Sequence, residues 1–268
     1  MATIFISYAD DRFKESLNRI ARQAKRVGIF DKIIKYTPKD LPAYIKASPL
    51  FAFTKGGGYW CWKPYIIQHT LKQCKLGDVI FYVDAGCSLN NESPEWKDFL
   101  KNIQTHSAIF FQYRDGYNYG WEINEKTAAI RHWIKPELIL YFRSYINEDF
   151  LDYGKIWGGF MIFKKTANPS QILDQWFRIT LFHPEFVTDP FGKEVDQLTD
   201  TYCAHRHDQS IITPLVYHYS KTDNALVLPE TSESRIGNPA VTATRWIQRK
   251  MSRWLQLKYH VWRIIHEE

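Results

Sequence analysis

Two hydrophobic periods alternate along the first 165 residues of the chain. Thr3 to Tyr8 (TIFISY) is a short apolar, β-branched run, and Asp10 to Val27 places Phe13, Leu17, Ile20 and Ala21 at helical spacing. Ile33 to Tyr36 is again strand-like, so the opening is a β-α-β unit. Pro38 to Ala47 and Pro64 to Lys72 predict short helices, and Asp78 to Val83 (DVIFYV) predicts a central, nearly all-apolar strand. Ser93 to Gln104 predicts a helix opened by a serine cap and Pro94, followed by a strand over Ala108 to Tyr113. Helices are expected at Asn124 to Trp133, Pro136 to Ser144 and Pro169 to Phe182, and a strand entered through a glycine pair at Trp157 to Phe163. This alternation predicts an α/β domain with a mostly parallel, Rossmann-type sheet flanked by helices.

The pattern changes near Val241, which divides the chain into a domain over 1–240 and an appendage over 241–268. Stepping 100° per residue puts Trp246, Trp254 and Trp262 on one face of a C-terminal amphipathic helix, with Arg245, Arg249, Arg253 and Arg263 opposite. That combination suits an anchor on an anionic membrane surface, and equally a helix packed on the domain with its arginines in water.

Composition sharpens this division. Apolar residues at 45% and charged residues at 24% exclude disordered, collagen-like and coiled-coil classes. The net charge of +6, with 10 Trp, suggests an anionic partner, but six Lys and Arg against two Glu lie in 241–268. The expected partner is therefore a membrane rather than nucleic acid, for which no RNP, helix-turn-helix or zinc pattern is present. No apolar run reaches the ~20 residues that span a bilayer, and the N-terminus lacks a signal-peptide pattern, so a cytoplasmic protein is expected. Cys61, Cys74, Cys87 and Cys203 form no CxxC pair and read as free thiols.

Three segments carry candidate chemistry. In DVIFYVDAGC an apolar strand ends in Asp84 followed by Ala85 and Gly86, where doubly wound sheets bind ligands. GGGYWCWKP (Gly56 to Pro64) joins a glycine loop able to fold around phosphate to three aromatics and Lys63. HRHDQSII (His205 to Ile212) sets Asp208 and Gln209 at a helix start. Each has a plainer reading: a turn after a strand, a loop beside buried tryptophans, and a helix N-cap.

Taken together, the W-x-KP helix start, the Y-x-DAG strand end, the G-G-F-M-I-F strand and the HDQS helix resemble bacterial surface-polysaccharide glycosyltransferases of GT-A fold, active in lipopolysaccharide and capsule synthesis. More distantly they are similar to glycogenin-like transferases. The resemblance implies transfer of a hexose, galactose or glucose, from a nucleotide sugar, UDP-linked, to a saccharide or lipid-linked acceptor at the cytoplasmic face of the inner membrane. It implies that Ser7 and Tyr8 hold uracil or ribose, that Lys63 contacts the diphosphate or ribose, and that Tyr82, Asp84, Ala85 and Gly86 bind the donor. Gly158 and Gly159 would flank donor sugar and acceptor, with Asp208 and Gln209 near the anomeric carbon. Asp84 takes the first place of the Asp-x-Asp motif that binds Mn²⁺ or Mg²⁺, but the third place is Gly86. A metal at Asp84 would then need His218, Asn90 or Asn91, or the diphosphate would be met by Lys63, Arg206 or Arg235 instead. The same residues leave open a non-catalytic carbohydrate-binding or membrane-surface protein.

Overall fold

Thr3–Tyr8 (β1) and Val79–Val83 (β3) are buried at every position, as strands covered on both faces must be. In this computed structural model, which describes residues 1–114, 128–192, 198–233 and 237–244, they are neighbours at the centre of a six-stranded sheet. Lys32–Tyr36 (β2) lies outside β1; Phe160–Lys164 (β6), Ala108–Gln112 (β5) and Ala225–Pro229 (β7) follow on the other side of β3. Phe5 sits between Ile33 and Phe81, and Phe81 faces Ile162. All neighbours pair in parallel except β6, which is antiparallel to both β3 and β5. The α/β architecture with a mostly parallel sheet flanked by helices is thus present, with one reversed strand that hydrophobic periodicity does not reveal.

Lys14–Val27 (α1) buries Ser16, Leu17, Ile20 and Ala24, one stripe of a 3.6-residue period, and stops at Gly28 in the left-handed region (φ 76°). The other helices are Ala43–Lys46 (α2), the single turn Gly56–Tyr59 (α3), Trp62–Gln73 (α4), Glu95–Thr105 (α5), Pro136–Arg143 (α6), Gln171–Phe182 (α7) and Asp208–Tyr219 (α8). The helix expected over Pro38 to Ala47 is split into a 3-10 turn at Pro38–Asp40 and α2, because Pro42 interrupts it. Of the helix expected over Asn124 to Trp133, residues 124–127 lie outside the described residues; the rest forms a 3-10 turn at Ile130–His132.

The described tryptophans serve mainly the interior. Trp62, Trp96, Trp133, Trp157 and Trp176 are all buried, and Phe160 at the head of β6 stacks on Phe111 at 4.6 Å between ring centroids. The four cysteines are free, Cys61 and Cys87 among them buried. Ser88–Leu89 (β4) pairs antiparallel with Val241–Thr242 (β8), joining the chain at 241–242 to the turn after β3. Residues 245–268, and with them the amphipathic helix, lie outside the described residues, as does Arg235.

Strand direction sets up the site. β1 and β3 run towards one end of the sheet, and β6 begins there. The antiparallel pairing therefore puts Gly158 and Gly159 beside the end of β3, where the Asp84 amide donates to the Gly159 carbonyl at 2.9 Å.

Candidate active site

A cavity of about 480 Å³ opens at this end of the sheet, within the size range of small-molecule sites. Its wall is assembled from Tyr8 at the end of β1 and Asp10 after it, Asp84 to Cys87 after β3, Trp157 and Gly159 before β6, and Arg206 to Gln209 at the start of α8. The turn after β3 is held from below: Arg19 of α1 donates to the carbonyls of Ala85 (3.2 Å) and Cys87 (2.7 Å).

Lys63 organises the floor. It is 1% exposed, and its ammonium donates to Asp208 Oδ2 and to the Gly158 carbonyl (3.0 Å), with Asp84 Oδ1 at 3.4 Å. Burying a lone charge costs several kcal/mol, so such an ammonium is stable only with partners of this kind. Burial pulls the Lys63 pKa down, but Asp208 and Asp84 more than offset it and lift it above the ordinary lysine value. Burial raises the Asp84 carboxyl above its usual range, against the opposing pull of Lys63 and of the Tyr82 hydroxyl that donates to it. Asp84 keeps a third of its side chain open to the cavity.

The glycine loop takes an unexpected form. Gly56, Gly57, Gly58, Tyr59 and Trp60 all have positive φ, a left-handed turn that costs roughly 1–2 kcal/mol at each residue with a Cβ. The amides of Gly57, Gly58, Tyr59, Trp60 and Cys61 are bonded to carbonyls at Thr54 to Gly58. They are therefore not aimed at a phosphate; the turn instead carries Trp60 and Lys55 to the cavity wall. Trp62 stacks on Tyr8 at 3.8 Å between centroids.

Strain continues beside this turn at His207 (φ 54°, ψ −113°), a region that costs on the order of 1–3 kcal/mol outside glycine. Packing holds it there. The ring lies along Trp60 (5.4 Å), and Nδ1 faces the Val187 carbonyl at 2.8 Å, so Nδ1 carries the proton. His205 likewise points Nε2 at the Phe186 carbonyl. Burial lowers the His207 pKa to about 4 and that of His205 well below its ordinary value. The unfolded chain takes up protons that the native state refuses, so their stabilisation is complete above pH ~6.5 and is lost as pH falls towards 4. For His207 alone the loss reaches about 3 kcal/mol. Thermal melts should therefore show a markedly lower Tm at pH 5 than at pH 7.5, and equal values would show that these rings are not buried in neutral form.

Of the residues expected from sequence, Tyr8, Lys63, Asp84, Ala85, Gly86, Gly159, Asp208 and Gln209 meet at this cavity. Ser7 and Tyr82 are fully buried behind the wall, and Gly158 acts through its carbonyl. A Cβ on Gly158 would come within 3.0 Å of Asp208 Oδ2 and of Gln209 Cγ, so this position keeps room for both. Lys63 is engaged by Asp208, Asp84 and the Gly158 carbonyl. One expectation needs correction. His218 stands at the far end of α8, about 15 Å from Asp208 at 1.5 Å rise per residue, where its ring packs against Tyr219.

A divalent ion is not accommodated by the described residues. Among them no group of three His, Cys, Asp or Glu converges as a metal site, Gly86 offers no side-chain ligand, and Asp84 Oδ1 already has Tyr82 and Lys63 against it. Asp10, Lys55, Trp157, Asp189 and Glu233 also line the cavity without having been picked out from sequence. Asp189 lies in a Pro-, Gly- and Asp-rich loop and ties Lys55 (2.7 Å) and Tyr59 (3.0 Å) together; only that loop composition hinted at it.

No known family profile matches the chain, and no curated protein matches it. Solved structures with a similar chain path include a glycosyltransferase involved in the glycosylation of the major capsid of PBCV-1, with 8% identity, TM-score 0.48, and coverage of 98% of this chain and 100% of that one. The glycosyltransferase GlyE of Streptococcus pneumoniae TIGR4 has 10% identity, TM-score 0.45, and coverage of 97% and 60%. The galactosyltransferase LgtC, in complex with donor and acceptor sugar analogs, has 11% identity, TM-score 0.39, and coverage of 89% and 86%. At these identities and scores they are likenesses of chain path alone.

Proposed function

We propose that the protein is a GT-A-like glycosyltransferase that moves a hexose from a nucleotide sugar, UDP-linked, to a saccharide or lipid-linked saccharide acceptor in surface-polysaccharide synthesis. The observation that carries this reading is the convergence of Asp84, at the end of β3, and Asp208, at the start of α8, on one buried ammonium beneath a cavity of about 480 Å³. Two carboxylates fixed this way, with Gln209 and a glycine approach at Gly159, suit a ring of hydroxyls held against a reacting carbon.

Tyr8 and Asp10 are assigned to the nucleoside and Asp84 to the donor. In the reaction the bond from the anomeric carbon to the diphosphate oxygen breaks, the acceptor oxygen bonds to that carbon, and the acceptor proton goes to a base. Asp208 faces the reacting sugar, as that base or as the electrostatic partner of positive charge developing on the ring. Lys55 and Arg206, cations on the cavity wall, are assigned to the leaving nucleoside diphosphate. No helix among the described residues is long and apolar enough to cross a membrane; the basic, Trp-bearing segment 241–268 is proposed to bring the enzyme to an anionic cytoplasmic surface where a lipid-linked acceptor is displayed.

A thermal-shift series against UDP, GDP, CMP and dTDP sugars, with and without Mn²⁺, tests the reading. Saturation at a hundred times Kd stabilises by about 2.7 kcal/mol, roughly 5–10 °C in a domain of this size. A shift with the UDP sugars, lost in Asp84→Ala, is expected. No response to any of the four would sink the proposal.

A further inference from the structure

Behind Gln209 lies a buried polar cluster in which only Arg206 has a part in the chemistry assigned so far. Lys155 is 2% exposed. Its ammonium stands 3.6 Å from the centroid of the Tyr113 ring and 5.5 Å from that of Trp133. The Tyr113 hydroxyl donates to Glu233, the Glu233 amide donates to Glu230 Oε1 (2.7 Å), and the Arg206 guanidinium lies 4.5 Å over Trp133. The lysine backbone is pinned at both polar groups: its amide donates to the Ala128 carbonyl (2.8 Å) and its carbonyl accepts from Tyr113 (2.9 Å). Gly154 permits that closeness, since a Cβ there would fall 2.1 Å from the Tyr113 carbonyl oxygen.

From this fixed position Lys155 donates to Gln209 Oε1 at 3.1 Å. An ammonium has hydrogens and no lone pair, so the side-chain atom it meets has to be the oxygen of the amide. The two N–H donors of Gln209 are then left for the cavity that this residue lines. We propose that Lys155 is a positioning residue that locks the Gln209 amide with its oxygen withheld, so that Gln209 meets the reacting sugar or the acceptor as a hydrogen-bond donor. This assignment of what Gln209 meets rests on the transferase reading; the lock itself does not.

The surroundings make the lock sensitive to pH. Burial lowers the Lys155 pKa to about 7, opposed by Glu233, Glu230 and Asp208 and reinforced by Arg206, with the Tyr113 ring against its face. Once deprotonated, the amine gains a lone pair that accepts from an N–H as readily as it donates, and the amide is no longer held in one orientation.

The test is a double-mutant cycle on Lys155→Met and Gln209→Ala, read as kcat and KM, alongside the side-chain amide pair of Gln209 in ¹H–¹⁵N spectra, assigned by its loss in Gln209→Ala. Lys155→Met should lower kcat about tenfold or more, as loss of positioning does, with donor KM little changed. In the Gln209→Ala background the same substitution should cost nothing further. Equal losses in both backgrounds, or a change confined to KM, overturn the proposal. The spectra need no turnover and so separate this inference from the transferase reading. The Gln209 amide pair should move in Lys155→Met and, in the unaltered protein, titrate with a midpoint near 7. An amide pair unmoved by Lys155→Met overturns the lock, and one indifferent to pH between 6 and 8 in the unaltered protein overturns its pH sensitivity.

Discussion

Asp208→Asn should reduce transfer by about a thousandfold, the middle of the range for removing a positioned acid or base. The substitution keeps the shape of the side chain and the hydrogen bond from Lys63, but removes the negative charge that faces the reacting carbon. Nucleotide affinity should stay within about threefold, because the groups assigned to the nucleoside, Tyr8 and Asp10, belong to the end of β1 and the turn after it rather than to α8. Initial rates with labelled donor, together with binding measured by tryptophan fluorescence, check both halves. An Asn variant that retained a tenth of the activity would remove Asp208 from the chemistry.

The largest effect on stability is expected at Lys63. Lys63→Met fits the tunnel of a 1% exposed side chain, yet leaves Asp84 and Asp208 without the cation they share. Removing one partner of a buried charge network costs about 3–5 kcal/mol, or a Tm lower by roughly 6–20 °C at this chain length. The pH dependence gives the cause. With the cation gone, one of the two carboxyls gains by taking up a proton, so the deficit against the unaltered protein should narrow as pH falls from 8 to 5.5. A Tm within 2 °C of the unaltered protein at neutral pH would show the ion pairs to be incidental.

Much of the fold could be read from the chain alone, for identifiable reasons. β1 and β3 announce themselves as apolar β-branched and aromatic runs, and α1 by its stripe. The reversal of β6 could not be seen, because a strand buried on both faces reads the same in either direction. β7 was missed although ALVLP is a short apolar run: it is only partly buried throughout and ends in Pro229, so it reads as easily as a loop after α8. At the site, the two carboxylates were visible by position, one ending a strand and one opening a helix. The burial of Lys63 and Lys155 was not, since lysine is almost never fully buried unless paired, and their partners come from distant segments, Asp208 for the first and Tyr113 and Gln209 for the second. His218 is different: three turns of helix separate it from Asp208, and helical rise alone places it outside.

The place of β6 has a consequence for how the chain is made. β3 (VIFYV) leaves the ribosome well before its neighbour at Phe160–Lys164 exists, a wait of roughly 4–16 s at ordinary rates of synthesis. On its far side β1 can already close against it, but the flank that will take β6 stays bare. The outer strand β2 is protected by Lys32 and Lys35, which discourage pairing with another chain. β3 has no such guard, being apolar throughout. A ribosome stalled between Val83 and Phe160 would therefore display a sticky half-sheet, and fragments ending in that interval are the ones to expect in aggregates.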